Sequence, residues 1–158
     1  MSGLFVDHLS LIGDLSQRQI DLLGPYFEEV RYKTGEVIFT QGAVAKNLYF
    51  VVEGKVSIRF KPDDGPVLTV ADLETGDVFG WSSAIGSRSY TSSAVCTEGG
   101  LFLRLEGSDL KHLCDKYPET GILILDRLAG VIAQRLRGTH SQVMELLQNG
   151  LHAVGQKE

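Results

Sequence analysis

The sequence predicts a mainly β fold with flanking helices: a sandwich, jelly roll or barrel of short strands, preceded by short helices and followed by a long one. Two patterns carry this. Between Glu28 and Leu105 the chain is a series of short β-branched and aromatic runs separated by turn-forming pairs. On either side the apolar residues fall instead at helical spacing. A third observation bounds the architecture: 158 residues with 43% hydrophobic and 22% charged content suit one core. A single domain over residues 1–158 is expected, with N-terminal helices in 7–27, the strands in 28–105 and C-terminal helices in 106–150.

The elements follow in order. From Asp7 to Phe27, Leu9, Ile12, Leu15, Ile20, Leu22 and Leu23 recur at roughly helical spacing, and Ser16 stands where an N-cap would open a second helix at Gln17. Two short helices ending near Gly24 and Pro25 are expected. The runs VRYK, EVIFTQ, NLYFVV, KVSIRF, VLTVADL, DVF, YTSSAV and LFLRL then predict about eight strands. Pairs such as Thr34-Gly35, Gln41-Gly42 and Glu53-Gly54 read as turns between them, and Asp64-Gly65 is a hairpin signal. After Glu106, Ser108 is a plausible N-cap for DLKHLCDKY, and Pro118 marks the first turn of a last helix reaching about Asn149. Along it Leu125, Leu128, Ile132, Leu136, Thr139, Val143, Leu146 and Gly150 form one stripe. Its first half is expected to pack on the strands. The part beyond Arg135 overruns a domain of this size and is expected to meet a second copy of the chain, with Leu128, Ile132, Leu136 and Val143 as the dimer positions.

Composition excludes several classes. A net charge of −5 opposes general nucleic-acid affinity, which rests on Lys and Arg neutralising phosphates. Nothing approaches an uninterrupted apolar stretch long enough for a membrane span, and the start MSGLFVDHLSLIGDLS lacks a basic leader, so a cytoplasmic location is expected. Cys96 and Cys114 have no CxxC spacing, so neither a disulfide framework nor a zinc site is suggested, and buried reduced thiols are expected. His8, His112, His140 and His152 all fall on predicted helices, which leaves no inward His cluster for a metal and no base beside Cys96. No enzyme, metal or resident cofactor is expected.

The stretch GEVIFTQGAVAKNLYFVVEGKVSIRF, from Gly35 to Phe60, resembles the opening strands of the cyclic-nucleotide-binding domain family, with Gly35, Gly42 and Gly54 carrying the match. The resemblance continues through LETGDVFG, where Gly76, Asp77, Phe79 and Gly80 match the approach to the family's phosphate-binding cassette, and into LAGVIAQRLRGTHSQV, which is similar to a dimerising helix. It implies a β jelly roll (double-stranded β-helix) with short N-terminal helices and a long C-terminal helix, holding a small ligand. A phosphate in such a roll needs close-approaching backbone amides, hydroxyl donors and a cation. The segment from Phe79 to Val95 supplies small residues and hydroxyls: Ser82, Ser83, Ser87, Ser89, Thr91, Ser92 and Ser93.

It departs from the family pattern at two anchors. The Glu that follows the Phe-Gly pair in the family accepts from the ribose 2'-hydroxyl; here that position is Trp81, which offers only a donor N–H and a large ring. The phosphate-binding Arg falls at Thr91 when the small-residue strand is aligned on Ala94 and Val95, and a hydroxyl cannot give a bidentate charged grip. Arg88 is the nearby cation that could swing in. The candidate pocket is therefore Phe79, Gly80, Trp81, Ser82, Ser83, Arg88, Tyr90, Thr91, Ser92 and Ser93, with Thr139 on the long helix where the family's relatives reach the base.

The resulting expectation is a regulatory ligand-sensing domain with a degenerate cassette that does not hold ordinary cAMP or cGMP tightly. Its occupant is a possible cyclic nucleotide or another small effector of open identity. The alternatives are a ligand-free dimerisation module with Trp81 plugging the pocket, and a fragment of a transcription regulator. Only LHAVGQKE follows Gly150, too short for a helix-turn-helix, so direct DNA binding is not expected of this chain.

Overall fold

A computed structural model of the protein describes residues 16–83 and 88–136. Ser16 caps helix α1 (Gln17–Leu23) as its position predicts: its hydroxyl accepts from the Gln19 amide and the Gln19 side chain accepts from the Ser16 amide, a reciprocal capping box. A 3₁₀ turn, Gly24–Tyr26, carries Pro25 into strand β1 (Glu28–Tyr32). The first of the two expected N-terminal helices lies outside the described residues.

Among the described residues six strands follow where the runs suggested about eight: β1, β2 (Val37–Phe39), β3 (Asn47–Phe60), β4 (Leu68–Leu73), β5 (Val78–Phe79) and β6 (Ser93–Glu106). NLYFVV and KVSIRF are one 14-residue strand, β3, and SAV joins LFLRL in another, β6. The junctions read as turns because they hold glycines, but Glu53-Gly54 and Gly99-Gly100 face each other as kinks in a continuous antiparallel ladder, with register shifts between Val51 and Val56. Gly54 has φ of +115°, and a Cβ there would stand 2.6 Å from the Glu98 carbonyl oxygen, so only glycine lets the two backbones cross this closely.

The kink makes the roll. Before it, β3 pairs with β5 through Tyr49 and Phe50; after it, β3 pairs with β4 from Val56 to Phe60. Likewise β6 pairs with β2 through Ala94 and Val95 in its first half and with β1 from Gly100 to Arg104 in its second. The result is an antiparallel jelly roll that does not close into a barrel. The β3–β4 hairpin turns through residues 61–67, with Gly65 at φ +136°.

Leu48 to Val52 are all buried, which breaks the usual alternation because both faces of this half of β3 are covered. Tyr49 and Val51 point into the roll with Phe79, Ala94, Cys96 and Phe102. Leu48, Phe50 and Val52 point outward, with Leu101, Leu103 and Leu105 of β6, under the helices. Helix α2 (Gly107–Lys116) contributes Leu110 and Leu113, and α3 (Pro118–Leu136) contributes Ile124, Leu125, Leu128, Ala129, Ile132 and Ala133. Each fully buried Leu or Phe stabilises by about 1.5–3 kcal/mol relative to exposure, so this outer core is what holds the helices to the sheet.

One expectation about the helices is corrected. Ser108 is not the N-cap of α2: Glu106 takes that place without a side-chain cap, and the Ser108 hydroxyl donates to the Glu106 carboxylate at 3.3 Å. Leu128 and Ile132, expected at a dimer seam, are each 1% exposed and sit inside the chain's own outer core. From Leu125 to Ile132 the apolar stripe of α3 is buried in this outer core. Leu136 is the last described residue of the helix. Val143 and Thr139 lie outside the described residues.

Candidate functional site

The site forms where β5 runs out into the 3₁₀ turn Trp81–Ser83. Gly80 joins them at φ +74°, and a Cβ there would meet the Asn47 carbonyl at 3.0 Å and the Phe39 and Tyr49 rings at 3.2 Å. Glycine thus brings this backbone down onto the aromatic floor of the roll.

The opposite wall is held by backbone pairing. Residues 88–90 lie against 42–45: the Gly42 amide donates to the Tyr90 carbonyl at 2.8 Å, the Tyr90 amide to Ala43 at 2.9 Å, and the Ala45 amide to Arg88 at 2.9 Å. This directs the Tyr90 side chain inward. Its hydroxyl donates to the Asn47 carbonyl at 2.8 Å and accepts from the Asn47 amide at 3.0 Å, while its ring stacks on Phe39 at 3.7 Å between centroids. Burial pushes the Tyr90 phenol above its ordinary range, so it stays protonated and keeps donating.

Between these walls lies a cavity of about 310 Å³. Seven of the eleven candidate residues line it: Phe79, Gly80, Trp81, Ser82, Tyr90, Thr91 and Ser92. Phe39 of β2, Ile58 of β3 and Val70 and Ala71 of β4 complete it. Sequence reasoning missed these four because they come from three strands that only the topology brings together; the alternation of apolar residues along EVIFTQ and VLTVADL was the sole available signal. The lining carries hydroxyls on one side and rings and aliphatic groups on the other, with no cation among the described lining residues.

The remaining candidates are placed elsewhere. Arg88 is exposed and is not among the described residues that line the cavity; its carbonyl accepts from the Ala45 amide. The Ser93 hydroxyl accepts from the Gln41 amide at 2.8 Å, and the residue faces a separate shallow groove beside Arg59 and Lys61. Ser83 closes the 3₁₀ turn. Thr139 falls outside the described residues. Trp81 is half-buried and packs against the outer, helix-side core while one part of it borders the cavity.

Other chemistry is sparse. Both cysteines are free; burial raises the Cys96 thiol and pushes Cys114 up to about 11, which favours the unreactive protonated form. Cys114 is half-buried rather than buried as expected. Among the described residues no group of three His, Cys, Asp or Glu side chains could hold a metal, and no helix is long and apolar enough to cross a membrane.

A glycine-kinked jelly roll with helices over one face and a small cavity between its strands is a ligand-binding roll. The chain belongs to the cyclic nucleotide-binding domain family, whose model matches residues 29–117. It is 33% identical over 127 residues to the cyclic AMP receptor protein of Thermus thermophilus, covering 80% of this chain and 57% of that one. The crystal structure of Thermus thermophilus catabolite activator protein superposes with a TM-score of 0.70 at 33% identity, over 80% of this chain and 58% of that chain. A CRP-like cAMP-activated global transcriptional regulator of Mycobacterium tuberculosis is 27% identical over 128 residues, 81% of this chain and 55% of that protein. A cyclic nucleotide-binding domain from Methylobacillus flagellatus shares the fold at TM-score 0.79 and 22% identity, over 85% and 79% of the two chains. The chain thus spans a little over half the length of the curated relatives it matches.

Proposed function

We propose that this chain is a regulatory sensing domain whose roll cavity binds a small effector other than ordinary cAMP or cGMP. The observation that carries this is the cavity itself, bordered by Gly80, Ser82, Thr91 and Ser92 and free of any cation among its described lining residues. The cyclic phosphate of a nucleotide placed there would meet hydroxyls and no cation among the described lining residues. Truncating one partner of a buried charged contact costs about 2–5 kcal/mol, and here both the cation at Thr91 and the carboxylate at Trp81 are replaced.

Trp81 supports sensing over a plugged, ligand-free module. Its ring packs on the helix-side core, and the cavity remains open beside it. A ligand in the cavity would press on the same residue that packs against the helix-side core, which is the differential contact a switch needs. A homodimer in the cytoplasm, joined through the C-terminal helix beyond the segment that covers the sheet, is the assembly proposed for the readout. The relatives are named a cyclic AMP receptor protein and a cAMP-activated global transcriptional regulator, and the match spans a little over half of each, so a place in a longer transcription regulator is a second reading.

Trp81 is the sole tryptophan and therefore a clean reporter of the cavity. Titrating cAMP and cGMP while recording its fluorescence should give no saturable change at micromolar nucleotide. A saturable micromolar response, lost on mutating Ser92→Val, would overturn the exclusion of ordinary cyclic nucleotides.

A further inference from the structure

The proposal above leaves the effector's chemistry open, and the cavity walls restrict it. We infer that the roll cavity takes a neutral, flat, largely apolar molecule with one hydrogen-bonding edge. This rests on reading the cavity as the ligand site.

Four aromatic residues, Phe39, Phe79, Trp81 and Tyr90, border the space. Phe39 and Tyr90 are stacked with planes 13° apart, Phe39 lies 6.0 Å from Phe79, and Phe79 stacks in turn on Tyr49 at 5.1 Å. A flat ring entering the cavity meets an aromatic array that rewards offset stacking and edge contacts. Across from it, Ile58, Val70 and Ala71 of the β3–β4 hairpin give an aliphatic wall with nothing to pair a polar group.

Among the described lining residues the side-chain hydroxyls free to meet a ligand are those of Ser82, Thr91 and Ser92. The Tyr90 hydroxyl is taken by both backbone groups of Asn47, so it is not free to serve a ligand. Neutral hydroxyls suit a carbonyl, amide or ring nitrogen. They do not repay the desolvation of a carboxylate or phosphate. At about 310 Å³ the space lies at the lower end of cavities that hold small molecules, roughly 300–1,000 Å³, which limits the occupant to one or two fused rings.

Benzamide and benzoate share shape and ring and differ in charge, so the pair isolates the inference. Binding to the full chain is followed by the backbone amide NMR signals of Gly80, Ser82, Thr91 and Ser92, with cAMP as a third probe. Benzamide should give saturable shifts there and bind about thirtyfold more tightly than benzoate, the discrimination expected when a charge is desolvated without a partner. Thr91 is exposed, so Thr91→Arg should fold normally and raise the affinity for benzoate relative to that for benzamide. If benzoate or cAMP shifts these signals as strongly as benzamide in the unmodified chain, the neutral class is wrong while the site stands. If no probe moves them at all, the site reading and this inference both fail.

Discussion

Single residues decide whether this chain bends or turns. Gly54 sits at φ +115° with the Glu98 carbonyl 2.6 Å from where a Cβ would be, whereas Gly42, at φ +88°, has open space around the same position. Both would strain an L-residue, but only the first would also force two strands apart. Gly54→Ala is therefore expected to lose more than the roughly 1–3 kcal/mol that an unfavourable backbone conformation costs, and Gly42→Ala no more than that range. Urea denaturation of the two variants checks this; equal losses would mean that the ladder yields at the kink. The sequence shows both glycines equally well. What it hides is that one faces solvent and the other faces Gly100, because that difference is made by a strand 46 positions further on.

At the scale of elements, the sequence is most legible where one local signal decides the structure. Ser16 and Gln19 are enough to start α1, and Pro118 to start α3. The two long strands were harder, since β3 and β6 each pass through a glycine that locally looks like a turn. The stripe along α3 was legible as apolar and its first half as packing on the strands, but where the sheet's cover ends along the helix was not. Periodicity places Leu128 and Ile132 on a face without saying whether a sheet or another helix covers it. The consequence is measurable. Ile132→Ala should cost about 2–5 kcal/mol of unfolding free energy as a core truncation, while Ile122→Ala, at a position 45% exposed on the same helix, should cost under about 1 kcal/mol. Neither should change the oligomeric state seen by light scattering; dissociation on Ile132→Ala without loss of stability would return that residue to the seam where the stripe first suggested it.

Across the whole molecule, the candidate site was legible in outline because its glycine, hydroxyl and aromatic residues lie in one segment, Phe79 to Ser92. Its far wall was not, since Phe39, Ile58, Val70 and Ala71 reach it only through the jelly-roll crossing of β2, β3 and β4. The fold belongs to the family, and the proposal that the pocket's chemistry is this chain's own is tested by supplying the anchors that the family pattern implies. Thr91→Arg supplies the cation at an exposed position, and Trp81→Glu supplies the acceptor, at some cost in packing against the helix-side core. Neither alone should suffice, because each leaves the other half of the nucleotide without its partner. Together they should bring calorimetrically saturable cAMP binding into the micromolar range, with a gain larger than the sum of the single variants, as expected for groups that grip one ligand. Calorimetry is the appropriate readout, since the double variant lacks the tryptophan reporter. A double variant that keeps its far-ultraviolet circular dichroism yet ignores cAMP would place the barrier in the shape of the cavity, in the Phe39–Tyr90 stack that narrows it, rather than in the two missing anchors.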